Sequence, residues 1–162
     1  MHPAFSWLWN CSCQPKHKVF FWLLMMDRLS TRELLKRKNM FLQDYCCILC
    51  NANVEESLFR LFLGCPFATQ CWAFINIQVD MDLNPFQNLQ SFRDQLHVPF
   101  FMEIIILMRW SIWKARNDLI FRQINPSFQL TKQSFLGDLQ LLLLRAKSSY
   151  SPGLNQWIAN LL

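Results

Sequence analysis

Three cysteines near the middle of the chain are spaced like ligands of a structural metal ion. Cys47 and Cys50 enclose two residues, and Cys65 follows after a short segment. A Cys-x-x-Cys pair places two thiolates on one tight turn, which suits the tetrahedral coordination of zinc. The interval between Cys50 and Cys65 has no histidine to serve as the fourth ligand; it has Arg60, whose protonated guanidinium offers no lone pair. The sequence therefore predicts three of the four ligands of a zinc site.

The fourth position has more than one candidate. Cys71 follows Cys65 on a predicted helix and is a substitute ligand, and a water molecule is another. Arg60 could pair with one of the thiolates while the ion is bound. In the opposite interpretation no metal binds, and Cys47 and Cys50 are, with Cys65, small side chains held in an aromatic core. The sequence leaves these alternatives open.

Two basic groups are candidates for phosphate contact. One lies in the first turn of the helix predicted after Pro15, where positive charge opposes the helix dipole. The other ends the next predicted helix, where positive charge is favourable. The predicted nucleic-acid contacts are Lys16, Lys18, Lys36, Arg37 and Lys38. The alternative for both groups is an ordinary solvated helix end.

Composition favours a helical protein with a large aromatic core. Of 162 residues, 52% are hydrophobic, 15 are Phe, 7 are Trp and only 3 are Gly. So few glycines imply few turns, which favours helix over sheet. The net charge of +5 permits an acidic partner without demanding one. The apolar run 104–108 falls far short of the roughly 18 residues of a membrane span, so no membrane partner is expected.

Cysteine usage indicates a reducing compartment. The 7 cysteines are an odd number, and the opening residues lack the charged start, apolar run and cleavage site of a secretory leader. Free thiols are therefore expected rather than disulfides. We predict an intracellular protein, nuclear or cytoplasmic, and not a secreted one.

Local signals predict a mainly α fold: a helical hairpin and a Cys-rich loop like a zinc knuckle, followed by a C-terminal helical segment. The hairpin joins the helix after Pro15 to one begun by a capping box in which Ser30 is the cap and Glu33 reaches back. Further helices are predicted at 55–63, 66–75, 100–121, 127–147 and 154–162. The predicted organisation is a domain at 1–77, a linker at 78–99 with a cap-like start at Ser91, and a helical extension at 100–162.

An ordered series of motifs runs through the first half of the chain. Its members are Trp9, Pro15-Lys16-His17-Lys18-Val19-Phe20-Phe21-Trp22, Arg28-Leu29-Ser30-Thr31-Arg32, Cys47, Cys50, Glu56-Ser57, Leu61-Phe62, Cys65-Pro66-Phe67-Ala68 and Trp72. This series resembles the zinc-binding domain that lies C-terminal to plant non-LTR (LINE) reverse transcriptases. The family's histidine falls on Arg60. The resemblance implies a zinc ion at Cys47, Cys50 and Cys65.

The resemblance also implies a function. It suggests a non-catalytic, retrotransposon-derived module that binds zinc and contacts RNA or DNA. An enzyme is not expected, because the sequence has no Gly-rich phosphate loop, no paired histidines and no Tyr-x-Asp-Asp polymerase signature. The alternative is a degenerate helical remnant without metal, which acts in protein contacts or has no function.

Overall fold

The regular structure of the chain is helical. A computed structural model describes residues 1–162, in which the only β pairing is an isolated bridge between Cys46 and Glu55. The helices are α1 Pro3–Asn10, α2 Pro15–Met25, α3 Arg32–Arg37, a π-helical segment Arg60–Gly64, α4 Pro66–Phe74, α5 Pro85–Leu96, α6 Phe101–Arg122, α7 Phe128–Leu142 and α8 Ser151–Leu161. The predicted mainly α class, with a Cys-rich loop among helices, is confirmed.

Proline starts many of these helices. It occupies the first or second position of α1, α2, α4, α5 and α8, where its fixed φ suits the helix and its missing N–H costs nothing. Among the helices without a leading proline, α3 and α7 have side-chain caps. Thr31 accepts the N–H of Leu34 at 3.2 Å, and Ser127 accepts that of Leu130 at 3.3 Å. Local sequence therefore determines most of the helix starts.

Two predicted helix starts are wrong. The cap of α3 is Thr31, not Ser30, and the backbone N–H of Glu33 donates to the carbonyl of Glu56. The N–H of Glu33, which the capping box would have paired with the Ser30 hydroxyl, is thus paired with a distant carbonyl instead. Similarly, α5 begins before Ser91, because Asn84 and Gln87 form the capping box there.

Other helix boundaries are close to the predicted ones. The predictions at 66–75 and 100–121 match α4 and α6, whereas α7 ends earlier than predicted and α8 begins earlier. Of the helix predicted at 55–63, only residues 58–63 are helical, and the π-helical segment begins within it at Arg60. At its end, a Cβ at Gly64 would lie 2.9 Å from the ring of Phe59, so a larger residue there would require this ring to move.

A continuous core connects the N- and C-terminal parts of the chain. It contains 34 buried residues from Ala4 to Ile158, and α6 packs against α2, α5, α7 and the π-helical segment. The predicted linker contains α5, whose Leu89 and Phe92 are fully buried in this core. The division into 1–77, 78–99 and 100–162 stays a prediction, but residues 85–96 of the linker are a packed helix.

The apolar middle of α6 is buried within the protein. Residues 104–108 are at most 1% exposed. No single helix combines the length and apolarity of a membrane span, whereas α5 and α6, bent by 117°, meet that length and composition criterion only as a pair.

Candidate metal centre

The structure brings the three predicted cysteine ligands together. The sulfur atoms of Cys47, Cys50 and Cys65 all lie within 4.8 Å of one another. In a tetrahedral zinc site with bonds of about 2.3 Å, sulfurs are about 3.8 Å apart. Cys47 and Cys65 are buried, and Cys50 is half-buried at the edge. Sulfur movements of about 1 Å would therefore suffice for three-thiolate coordination.

Backbone hydrogen bonds hold Cys47 in a tight loop. The N–H of Cys47 donates to the carbonyl of Val54 at 2.7 Å, and that of Glu56 donates to the carbonyl of Tyr45 at 2.9 Å. The turn lies at residues 48–49, and after it Asn53 has a φ of 56°, a conformation that Asn tolerates better than most residues. We call residues 45–56 the cysteine loop.

The third cysteine lies at a helix junction. Cys65 directly precedes α4, and its N–H donates to the carbonyl of Arg60 at 2.8 Å. Its extended backbone ends the π-helical segment and leaves the sulfur near the free N–H groups of the first turn of α4. The Cys-Pro pair thus has a local physical reason, since Pro66 starts the helix whose N-terminus faces the sulfur.

Arg60, which falls on the histidine position of the family that the sequence resembles, faces the sulfurs. Its Nη2 donates to the sulfur of Cys50 at 3.2 Å, and its Nη1 donates to the carbonyl of Gly64 at 3.3 Å. Its Nε is buried and has no hydrogen-bond partner. The side chain contributes a cation where a metal site needs a donor. The chain thus fits zinc with three donors and departs from a closed four-ligand site at Arg60.

The neighbouring thiols of Cys47 and Cys65 shift each other's pKa in opposite directions. The hydrogen bond from Cys47 lowers the pKa of Cys65, and backbone N–H groups of Ala68 and Phe67 lower it further. The same hydrogen bond, with burial, raises the pKa of Cys47. The arrangement favours a thiolate at Cys65, and thiolate is the form that binds metal.

Cys71 lies outside the group of three sulfurs. It is buried on α4, and burial raises the pKa of its thiol to about 12. Burial of this kind favours the neutral thiol, which is a poor ligand. The structure therefore does not bring the predicted substitute ligand into the site.

A buried ion pair fixes the cysteine loop to α6. Glu56 is 0% exposed, and its carboxylate accepts bonds from Nη2 of Arg116 at 2.9 Å and from Nε at 3.2 Å. The backbone N–H of Arg32 donates to the same carboxylate at 2.9 Å, and Nη2 of Arg116 also reaches the carbonyl of Ser30 at 3.2 Å. Sequence reasoning missed Arg116, because its partner lies 60 residues away and no local pattern connects them.

The residues predicted to contact phosphate lie in two places, and they differ in whether their charges are paired with carboxylates. Lys36 forms an ion pair with Glu55, and Arg37 forms one with Asp27 at 2.8 Å. Lys18 donates to the carbonyl of Trp9 at 3.0 Å. The remaining two, Lys16 and Lys38, are exposed and form no ion pair. The first group begins α2 and the second ends α3, so roughly the 16 Å length of α2 separates them.

Comparison with known proteins gives one match. Residues 2–72 match the sequence model of a family described as zinc-binding in reverse transcriptase. The matched range contains the cysteine loop, Cys65 and both residue groups predicted to contact phosphate. No curated protein matches. No solved structure matches either.

Proposed function

We propose that the chain is a non-catalytic zinc module that contacts RNA or DNA, because residues 2–72 match the sequence model of the family described as zinc-binding in reverse transcriptase. The observation that carries the metal part is the convergence of three cysteine sulfurs within 4.8 Å. The family match covers the zinc-binding region and not a polymerase domain, which supports a non-catalytic role.

The three thiolates would hold the ion. Bound zinc would supply a cross-link between the cysteine loop and the start of α4, which are otherwise connected by the π-helical segment. Cys50, the half-exposed ligand, would be the outermost. Arg60 would release the Cys50 sulfur and stay near the site as a counter-charge to three thiolates.

The nucleic-acid part rests on exposed cations beside this scaffold. Lys16 and Lys38 carry charges that no carboxylate of the chain neutralises. Located near opposite ends of α2, they would contact different phosphates of one strand. Lys18, Lys36 and Arg37 would add weaker contacts, because each must first leave the partner that it has in the free protein.

The test is the salt dependence of binding to a single-stranded RNA and a DNA of the same sequence. Each lysine–phosphate interaction that a substitution removes should reduce the slope of log K against log salt by about 0.7. We therefore expect a reduction of roughly 1.4 in the variant Lys16→Ala with Lys38→Ala. Lys147→Ala is the matched control, since Lys147 is exposed and lies on the ring of Tyr150 outside the matched region. Absence of binding at low salt, or an unchanged slope in the double variant, would refute nucleic-acid contact.

The second candidate function is a metal-free helical module that acts through protein contacts. The hydrogen bond from Arg60 to Cys50 favours this candidate, since the guanidinium places a positive charge of the protein itself next to the sulfurs, where a metal ion would otherwise lie. In that case the chain folds equally well in excess chelator, which a thermal melt with and without zinc measures directly.

A further inference from the structure

A groove separates the cysteine loop from the C-terminal half of α6. Its volume is about 760 Å³, within the range of roughly 300–1,000 Å³ usual for small-molecule sites. We call it the loop–helix groove. Its walls include the side chains of Arg32, Asn51, Asn53, Trp113, Asn117 and Phe121. Neither the family resemblance nor the metal site assigns it a role.

Charges within the groove are already paired. Arg32 donates to the carbonyl of Cys46 at 3.0 Å and lies 3.8 Å from the carboxylate of Asp44. Arg116 is bound to the carboxylate of Glu56. The walls therefore present no spare charge for a phosphate, so an uncharged ligand portion with hydrogen-bonding edges suits them better.

Amide side chains supply such hydrogen bonds. Asn51 and Asn53 are exposed on the cysteine loop, and Asn117 lies opposite on α6. The Oδ1 of Asn117 accepts from Nη1 of Arg116 at 2.9 Å, which orients the amide. Amides donate and accept at once, and this combination complements the edges of nucleobases.

One aromatic side chain provides a stacking surface. The ring of Trp113 is half-buried and already has partners, because it stacks on Phe62 at 6.1 Å and carries the guanidinium of Arg116 at 4.8 Å. Phe121 lies in the last turn of α6 and is 73% exposed. An aromatic ring so exposed beside a groove is a ready stacking partner for an unpaired base.

The basic end of α3 adjoins the same groove. Leu35 lines the groove from α3, and Lys38 follows it at the end of that helix. Lys36 lies over the ring of Tyr45 at 5.6 Å, next to the lining residue Asp44. Cations thus lie outside the groove, whereas the charges inside it are paired. This arrangement suits a nucleic-acid strand whose phosphates stay outside the groove while one base enters it.

We propose that the loop–helix groove binds an unpaired base of a single-stranded RNA or DNA, stacked on Phe121 and hydrogen-bonded by the amides. This proposal rests on the proposed function, since it places one base of the strand whose phosphates the lysines contact. It predicts a preference for single strands, because a paired base cannot enter the groove.

The experiment compares four fluorescent 12-nucleotide probes at one low salt concentration: single-stranded RNA, single-stranded DNA, the DNA duplex and an abasic DNA strand with the same phosphates. We expect the two strands with bases to bind at least about 5-fold tighter than the abasic strand, since stacking of one base contributes about 1–3 kcal/mol. Phe121→Ala should remove most of this difference. Phe41→Ala is the matched control, because Phe41 is 86% exposed and lies outside the groove.

The possible outcomes separate the two proposals. The groove proposal is overturned if the abasic strand binds as tightly as the strands with bases. It is also overturned if Phe121→Ala leaves the difference in affinity between these strands unchanged. Both outcomes leave phosphate contact intact. Absence of binding of every probe overturns both. A difference between the RNA and DNA strands that Asn117→Ala abolishes would support the groove and identify the preferred sugar.

Discussion

Arg60 is the residue on which the chemistry of the candidate metal centre depends. It replaces a potential nitrogen ligand with a cation, and that cation donates a hydrogen bond to the sulfur of Cys50 at 3.2 Å. A guanidinium cannot coordinate zinc, and its charge opposes a dication nearby. The same contact gives the sulfur of Cys50 a charged hydrogen-bond partner when no ion is present. One side chain thus shifts the balance between the zinc-bound and the metal-free protein.

Arg60→His should therefore raise zinc affinity by at least about tenfold, because an imidazole supplies the fourth ligand and removes the repulsion. Chelator competition gives the affinity, and native mass spectrometry gives the stoichiometry. Arg28→His is the control, since Arg28 is exposed and contacts none of the sulfurs. Equal zinc affinity of Arg60→His and the parent would contradict this account, and Cys47→Ala should abolish binding in both.

A second residue-scale prediction concerns His17, which is 3% exposed on α2 and packs its ring 5.0 Å from that of Trp110. Burial lowers its pKa from 6.5 to about 4; Asp138 opposes this shift, whereas Lys16, Lys114 and Arg145 contribute to it. Between these pH values the unfolded state binds more protons than the folded state. Stability from His17 is therefore fully present above pH 6.5 and is lost as the pH falls towards 4.

Urea denaturation from pH 4 to 7 measures this effect. We expect the free energy of unfolding to fall by up to about 3 kcal/mol on acidification, and this fall should shrink in His17→Phe. His97→Gln is the control, because His97 is exposed at the end of α5. An acid-dependent loss that is identical in His17→Phe would exclude His17 as its source.

At the scale of elements, the attachment of the cysteine loop to α6 decides where the ligands lie. The loop has one β bridge and little regular structure of its own. Its position depends on Glu56, which is bonded to Arg116 of α6 and to the start of α3. The metal centre and one wall of the loop–helix groove therefore share this anchor.

Arg116→Met should lower the free energy of unfolding by about 3–5 kcal/mol, since it leaves the carboxylate of Glu56 buried without its counter-charge. Urea denaturation measures the change. The double variant with Glu56→Gln should lose less than the sum of the single variants. Arg122→Met is the matched control: it removes an exposed pair with Asp118 at 3.7 Å and should cost less than about 1 kcal/mol. Equal costs in Arg116→Met and Arg122→Met would exclude an anchoring role.

At the scale of the whole molecule, side chains from beyond residue 77 form much of the core against which residues 1–77 pack. Phe20 of α2 packs on Trp110 at 5.2 Å, and Trp72 of α4 packs on Phe92 of α5 at 4.7 Å. Both tryptophan contacts connect residues 1–77 with residues beyond them. A family motif of about 70 residues thus exposes a large apolar surface unless α5 and α6 cover it.

A fragment of residues 1–77 should therefore lack a cooperative unfolding transition, even with zinc present, whereas the whole chain unfolds cooperatively. Circular dichroism during thermal unfolding distinguishes the two. Cooperative unfolding of 1–77 alone would instead support the predicted division of the chain into an N-terminal domain and a helical extension.

The sequence alone determined features that depend on neighbouring residues. Prolines and small polar caps set most helix starts, the scarcity of glycine favoured helices, and the spacing of Cys47, Cys50 and Cys65 indicated a shared site. It misplaced the cap of α3, because the competing partner of Glu33 is the backbone of Glu56, far along the chain.

Only the tertiary structure decided how these parts are joined. It paired Glu56 with Arg116, positioned Arg60 on a cysteine sulfur, left Cys71 outside the site and opened a groove beside α6. None of these follows from local propensity, since each depends on the burial of side chains from distant segments against one another. Burial is a property of the whole packing, and the hydrophobic effect that drives it depends on total buried area rather than on sequence order.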